Sequence, residues 1–401
     1  MPKLWAGVDA GKAEHHCTVI GTDGAKVLSR RIANSEPELL DLVRDVLTLA
    51  GGEEVVWAVD LNAGGATLLI TLLLGHGQHL LYLPGRTVHH ASGAYRGDGK
   101  TDAKDAFVIA DQARMRRDLQ PLQEWDEIAV DLRILTARRY DLTADRTRTI
   151  NRLRAQLLEY FPALERAFDY ATSKAALTLL TGYQTPAALR RIGQSRLATW
   201  LKNRKVRNAD AVAATALEAA HAQHTAVPGE RTAAAMVRVL AKELLALGEE
   251  IERTDALIAV RFREHRHAEV ITSMPGIGTL LGAEFIVCAG GDLDAFGTSG
   301  RLAGVAGLAP VPKDSGRISG NLRRPRRYHR RLLRVFYLSA QVAARCCPTS
   351  KAFYQRKRAE GKTHRQAVLA LARRRLDVLW ALIRDQRTFT AEPPRRDLAT
   401  A

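Results

Sequence analysis

The stretch Leu4-Trp-Ala-Gly-Val-Asp-Ala-Gly-Lys12 is an apolar run that stops on an acidic residue, and Val55-Val-Trp-Ala-Val-Asp60 repeats the pattern. Runs this short, rich in Val and Trp and closed by Gly or Asp, read as buried strands. Outward from the first run, Val19 leads to the turn Thr22-Asp-Gly24 and Val27 to Ile32 returns, which predicts a β-hairpin. Pro37 to Ala50 has helical periodicity, Glu54 to Val59 is a strand, Ala66 to Leu74 is helical, and Leu80 to Leu83 is a strand before Pro84. Strands alternating with helices predict an α/β sheet whose active site lies at strand ends and adjoining loops. A carboxylate at the end of a buried strand needs a partner or a task, because burial disfavours its charge.

Two further carboxylates belong to Lys100-Thr-Asp-Ala-Lys-Asp105, which opens a helix predicted over Ala103 to Arg117. Residues i and i+3 share a helix face, so Asp102 and Asp105 can address one point. Acidic residues in a first helical turn also serve as caps and offset the helix dipole, and that reading competes with the first. Together Asp9, Asp60, Asp102 and Asp105 form a plausible cage for Mg²⁺ or Mn²⁺ in phosphodiester chemistry.

From Asp126 to about Tyr160 the pattern becomes one long helix, with Ile128, Leu132, Leu135, Leu142, Ile150, Leu153 and Leu157 as its apolar positions. A second runs from about Thr232 to His265 and carries Met236, Val239, Leu240, Leu244, Leu247, Ile251 and Leu257. Their length predicts a helical hairpin or coiled-coil arm, to be weighed against plain core helices. The Ala-rich segment between them, near Pro162 to Pro228, reads as a helical insertion. A third part begins at Ser273-Met-Pro-Gly-Ile-Gly278, where glycines between two apolar helices resemble a turn that can approach a phosphate closely. The end of the chain after Phe389, with Pro393-Pro-Arg-Arg396, reads as a disordered tail.

The 401 residues carry a formal charge of +17, and the excess is local. Arg301 to Arg387 holds 22 basic and 4 acidic residues, whereas residues 1 to 300 hold 36 and 37. A block so unbalanced repels itself unless it faces a polyanion, which makes nucleic acid the expected partner. Interleaved Tyr328, Phe336, Tyr337, Phe353, Tyr354 and Trp380 predict that the block is folded. Cys17, Cys288, Cys346 and Cys347 lack zinc-ligand spacing and read as reduced structural thiols. The longest apolar runs are too short to span a bilayer, so a cytoplasmic protein with no membrane partner is expected.

The order of these parts resembles the DEDD-type insertion-sequence transposases, whose best-understood members are recombinases guided by a bridge RNA. The resemblance rests on Val-Asp-Ala-Gly-Lys at the N-terminus, Lys-Thr-Asp-x-x-Asp-Ala at 100 to 106, Pro-Gly-Ile-Gly at 275 to 278, Gly-Leu-Ala-Pro at 307 to 310 and Asp-Ser-Gly at 314 to 316. It implies an RNase H-like (RuvC-type) α/β domain over 1–120 and a helical or coiled-coil region over 121–267. A mostly helical C-terminal transposase domain over 268–387 and a tail over 388–401 complete the expected organisation. The family's four acidic positions match Asp9, Asp60, Asp102 and Asp105, with Asp60 standing where the family usually has Glu. Its nucleophilic serine matches Ser315, and Ser319 in Ile-Ser-Gly320 is the rival. A serine hydroxyl attacking a phosphodiester needs cationic help, and Arg317, Arg323 and Arg324 are near in sequence, with Arg326, Arg327, Arg330 and Arg331 completing an expected DNA-binding run. The resemblance further implies a noncoding bridge RNA, a composite site shared between subunits of a homodimer or homotetramer, and action on bacterial nucleoid DNA.

Other readings compete. A RuvC-like junction resolvase or nuclease would use the carboxylates with water and form no covalent intermediate. An actin-like sugar or acetate kinase would read Val-Asp-Ala-Gly-Lys as a phosphate-binding turn, but leaves the basic block unexplained and lacks a Walker-type loop. A non-catalytic nucleic-acid-binding protein would leave the carboxylates and Asp-Ser-Gly without a role.

Overall fold

Burial on both faces explains the first apolar run. In the computed structural model, which describes residues 4–95, 99, 101–122, 126–291, 293, 296–317, 319–323 and 325–391, Leu4–Ala10 is a central strand, β1. The chain falls into two compact units that divide between residues 125 and 126.

In the first unit β1 is followed by β2 (Glu14–Ile20), β3 (Lys26–Ala33), α1 (Glu36–Ala50), β4 (Val55–Val59), a 3₁₀ turn at Gly64–Ala66, α2 (Thr67–Gly75), β5 (His79–Tyr82), α3 (Gly85–Ser92), α4 (Asp102–Met115) and the short β6 (Gln120–Pro121). The sheet order is β3-β2-β1-β4-β5-β6. β1, β2 and β3 run antiparallel as hairpins, β1, β4 and β5 run parallel, and β6 is antiparallel to β5. Period-two alternation sorts the side chains. Leu4, Ala6, Val8, Val55, Trp57 and Val59 pack with α1 and α2, whereas Trp5, Val56 and Ala58 pack with α4. Gly7 is what lets α4 lie so close, since a Cβ there would stand 2.3 Å from the Ala106 carbonyl oxygen and the Ala110 nitrogen.

The second unit is built on α5 (Glu127–Tyr160), which is followed by five short helices, α6 (Pro162–Ala167), α7 (Lys174–Gly182), α8 (Pro186–Ile192), α9 (Gln194–Lys202) and α10 (Ala209–His221), and by α11 (Glu230–Arg263). α5 and α11 are 34 residues each and lie antiparallel, as the pairs Asp131 with Arg261 (2.7 Å), Arg138 with Glu250 and Thr149 with Glu243 (3.3 Å) require. One end of this pair forms a core with α6–α10. Its other end joins α12 (Ala268–Ser273), α13 (Thr279–Ala289), α14 (Ser299–Val305), α15 (Arg330–Cys346), α16 (Pro348–Ala359) and α17 (His364–Arg384) in the largest core, and a two-stranded hairpin, β7 (Val311–Pro312) with β8 (Leu322–Arg323), projects between α14 and α15 in the chain.

Several sequence expectations need correction here. The seam of α11 is Ala234, Val237, Ala241, Leu244, Ile258 and Phe262, while Met236, Val239 and Leu257, expected on that seam, are exposed. The helix carries two apolar stripes, and periodicity could not say which one is covered. At Pro275-Gly-Ile-Gly278 the glycine faces protein: Gly276 has φ +82°, and a Cβ on it would stand 2.8 Å from the Ser339 carbonyl oxygen of α15. The smallness of Gly276 therefore serves helix packing, whereas a Cβ on Gly278 would meet nothing within 4 Å. Phe389, placed at the start of the expected tail, packs on the large core and donates its backbone N–H to Ser273 Oγ at 2.8 Å, while residues 392–401 lie outside the described residues. All four cysteines are free thiols. No described helix is long and apolar enough to cross a membrane.

Candidate active site

The sheet register assembles a row of polar residues that the sequence scatters over fifty positions. Asp9 pairs with His16, His16 pairs with Arg31, and Val8 pairs with Val59, which brings Asp60 to the neighbouring position at the end of β4. By alternation Asp9 shares a face with Trp5 and Gly7, and Asp60 follows Val56 and Ala58 onto the same face, the one that α4 covers. Arg31, His16, Asp9 and Asp60 thus cross four adjacent strands at one end of the sheet, under the N-terminus of α4. Sequence reasoning found the two aspartates and missed His16 and Arg31. Their signal was present in the hairpin register, which sets His16 opposite Asp9 once the turn at Gly11 is counted.

Asp60 is tied to the neighbouring strand. Its Oδ1 accepts the Ala10 backbone N–H at 3.2 Å, which ties the ends of β1 and β4 together. Burial pushes its pKa up, two backbone hydrogen bonds oppose the rise, and the negative charge of Asp105 adds to it. That last effect puts Asp105 within electrostatic reach of Asp60. The helix N-terminus is capped by Thr101, whose Oγ1 accepts the Lys104 N–H at 3.2 Å, so capping does not account for Asp102 or Asp105. Lys100 lies outside the described residues.

The expected four-carboxylate cage is not closed. Asp102 is exposed and its carboxylate turns to Arg31 at 3.3 Å, and Arg31 reaches Glu14 at the same distance. Asp102 thus meets the guanidinium that β3 presents at the same end of the sheet. Among the described residues no group of three or more His, Cys, Asp or Glu side chains converges closely enough to hold a metal. The donor chemistry nonetheless fits a hard divalent cation, because the half-buried Asp60 carboxylate is held against its charge by burial and by the negative charge of Asp105.

Asn34 was not expected and holds the site's two loops together. Its Nδ2 donates to the Lys12 carbonyl at 3.1 Å, in the loop after Asp9, and to the Gly65 carbonyl at 3.0 Å, in the loop after Asp60. Gly65 is small because Gly11 lies against it: a Cβ would stand 2.4 Å from the Gly11 carbonyl oxygen. His15, buried beside Asn34, has its pKa pushed down by burial, with the Asn34 side chain opposing.

In the second unit the β7–β8 hairpin carries Ser315 in its loop. Lys313 N–H donates to the Asn321 carbonyl at 2.9 Å and Asn321 N–H to Asp314 Oδ1 at 3.0 Å, so the residue before the serine is anchored. Ser315 is exposed and is followed by Gly316 at φ +53°, and its rival Ser319 is exposed too. Arg317, Arg323, Arg326, Arg327, Arg330 and Arg331 are all exposed, and Arg324 lies outside the described residues. Arg330 and Arg331 stand in the first turn of α15, where the helix dipole already repels cations. Arg331 rests 5.1 Å from the Tyr140 ring centroid. A run of arginines at a helix N-terminus is a surface made for anions.

Comparison with known proteins places these features in a family. A DEDD transposase profile matches residues 6–162, and a profile described as transposase, IS116/IS110/IS902 family, matches residues 268–355. An uncharacterized 42 kDa protein of insertion element IS900 from Mycobacterium paratuberculosis is 65% identical over 386 residues, covering 96% of this chain and 97% of that protein. This chain belongs to the IS116/IS110/IS902 transposase family. Two further members are the 44.8 kDa protein of insertion element IS116 from Streptomyces clavuligerus, 54% identical with 98% and 97% coverage, and the 43.6 kDa protein of insertion element IS110 from Streptomyces coelicolor, 38% identical with 98% and 96% coverage. Among solved structures, T. thermophilus RuvC in complex with a Holliday junction substrate covers 30% of this chain and 99% of its own at 16% identity and a TM-score of 0.24. The two family profiles fall on the two parts that carry the candidate chemistry, the carboxylate sheet end and the stretch from α12 through the serine hairpin to α16.

Proposed function

We propose that this chain is the transposase of an insertion sequence, cleaving and exchanging DNA strands with a carboxylate cluster and a serine nucleophile. The observation that carries the reading is the sheet end itself, where Asp9 and Asp60 share one face and Asp60 feels the charge of Asp105, in a chain of this family. Asp9, Asp60 and Asp105 would hold Mg²⁺ or Mn²⁺, with Asp102 as the fourth donor once its carboxylate leaves Arg31. Such a cation supplies Lewis acidity at a phosphodiester oxygen. The protein's own part is to fix the carboxylates through the Ala10–Asp60 hydrogen bond and the Asn34 clamp, and to keep the site rigid through the close contact of α4 with Gly7.

Ser315 Oγ attacks phosphorus, the P–O bond to one strand end breaks, and the serine proton ends on the leaving oxygen as a strand hydroxyl; the phosphodiester energy is kept in the phosphoserine ester, which a second strand's hydroxyl attacks to release the serine. Arg317 and Arg323, exposed on the same hairpin, stabilise the charge that gathers on the phosphoryl oxygens. The basic block from Arg301 to Arg387 binds the DNA backbone, and a bridge RNA selects the sites. The first unit has the RNase H-like (RuvC-type) architecture, and the active assembly is a homodimer or homotetramer acting on the bacterial nucleoid in the cytoplasm.

The decisive experiment traps reaction intermediates with DNA, digests the protein and maps the nucleotide-bearing peptide by mass spectrometry. An adduct on Ser315, absent in Ser315→Ala while DNA binding persists, is the expected result. Cleavage by Ser315→Ala at an undiminished rate, or an adduct on Ser319, would overturn the serine mechanism in favour of a water-using nuclease or the rival serine.

A further inference from the structure

A cavity of about 340 Å³ lies in the second unit between α12, α16, α17 and the segment after α17, away from the β7–β8 hairpin in sequence. Its walls include Met274, Phe353, Val378, Leu382 and Phe389, so it suits an apolar body. Its charge is of the opposite character. Arg374, on the wall, stands 5.1 Å from the Phe353 ring centroid, and beyond the wall Arg356 and Lys357 stand 5.1 and 5.6 Å from it, both paired with Glu360, at 3.9 and 2.8 Å. Arg375, only 3% exposed, also lines the cavity and gives its guanidinium to Ser339 Oγ at 2.9 Å, Ser350 Oγ at 3.4 Å and the Pro275 carbonyl. No carboxylate among the described residues pairs with Arg375, and the one acidic side chain on the walls, Asp377, is engaged by Arg373 at 3.2 Å.

A buried cation without a counter-charge is costly, and an apolar cavity that also carries Arg374, Arg375 and Arg387 on its walls is mismatched to a neutral hydrophobic ligand. The combination matches one chemistry, an aromatic ring that arrives attached to phosphates. We propose that this cavity receives an unpaired nucleobase of a bound nucleic-acid strand, stacked on Phe353, while Arg374 at its rim holds a flanking phosphate. The inference rests on the nucleic-acid reading above and adds to it a site that distinguishes unpaired from paired strands. Aromatic stacking tolerates any base, so the site reads strand state and not sequence. It gives the basic block a means of gripping DNA or RNA where a strand is open.

The test uses the full chain and a duplex carrying 2-aminopurine at a single unpaired position, in DNA and in RNA versions, against the same duplex fully paired. The expected result is quenching of the probe on binding and tighter binding of the unpaired duplex, with the DNA and RNA arms showing which strand the site takes. Phe353→Leu, which keeps apolar volume and loses the aromatic face, should weaken unpaired-duplex binding by roughly 5- to 150-fold and leave paired-duplex binding unchanged. Phe353→Trp should retain the preference. Paired duplex bound without any preference for the unpaired base, or a preference that survives Phe353→Leu, would overturn the pocket alone. Failure to bind even the paired duplex would instead overturn the nucleic-acid reading, and the pocket with it.

Discussion

Replacing Gly7 by alanine tests whether the position of α4 on the sheet sets the chemistry. The new Cβ would stand 2.3 Å from two backbone atoms of α4, the Ala106 oxygen and the Ala110 nitrogen, where ordinary contact begins near 3.4 Å. Neither atom can rotate away, so the helix must retreat by about 1 Å, and it carries Asp105 next to Ala106. Overpacking of this kind costs about 1–3 kcal/mol, which lowers the melting temperature by about 4–12 °C at roughly 4 °C per kcal/mol. The same shift moves Asp105 away from Asp9 and Asp60, and a displacement of about 1 Å at a reacting centre costs about 100-fold in rate. Thermal melts and single-turnover strand cleavage, both measured well below the variant's melting point, separate the two effects. If Gly7→Ala cleaves at the wild-type rate, the seat of α4 does not govern the site, and if it also melts unchanged, the packing argument itself fails.

Three further outcomes are expected. Burial raises the Asp60 pKa above its ordinary 3.8, so the folded state binds that proton more tightly than the unfolded chain, and the associated stability is present at low pH and lost as pH rises through the raised value; Asp60→Asn should remove this decline, and Mg²⁺ should raise the melting temperature of the wild type but not of the variant. Asn34→Leu deletes the donors to Lys12 and Gly65, and should cost about 1–3 kcal/mol in denaturant melts and lower cleavage further than the loss of folded protein explains, with an unchanged cleavage rate ruling out the clamp. DNA affinity carried by the Arg301–Arg387 block should fall with salt on a log-log slope of about −0.9 per phosphate contacted, and a flat salt profile in a binding titration would count against it.

The sequence by itself determined the elements, because each depends on short-range chemistry. Apolar runs ending on Asp9 and Asp60 became strands, Thr22-Asp-Gly24 became a turn, and the i,i+3 pair Asp102 and Asp105 opened a helix one residue after a capping threonine. It also fixed the charge imbalance and the family motifs. Which side chains meet was decided by register and packing, which are long-range. Only the pairing of β1 with β2 and β4, and of β2 with β3, aligned Arg31, His16, Asp9 and Asp60, and only the fold brought the Asp102 carboxylate against Arg31. Asn34 was invisible because it works through carbonyls of two loops that are distant in sequence. The exposed stripe of Met236, Val239 and Leu257 has the same cause: a helix with two apolar faces does not itself say which one its neighbour will cover, since burial is a property of the pair.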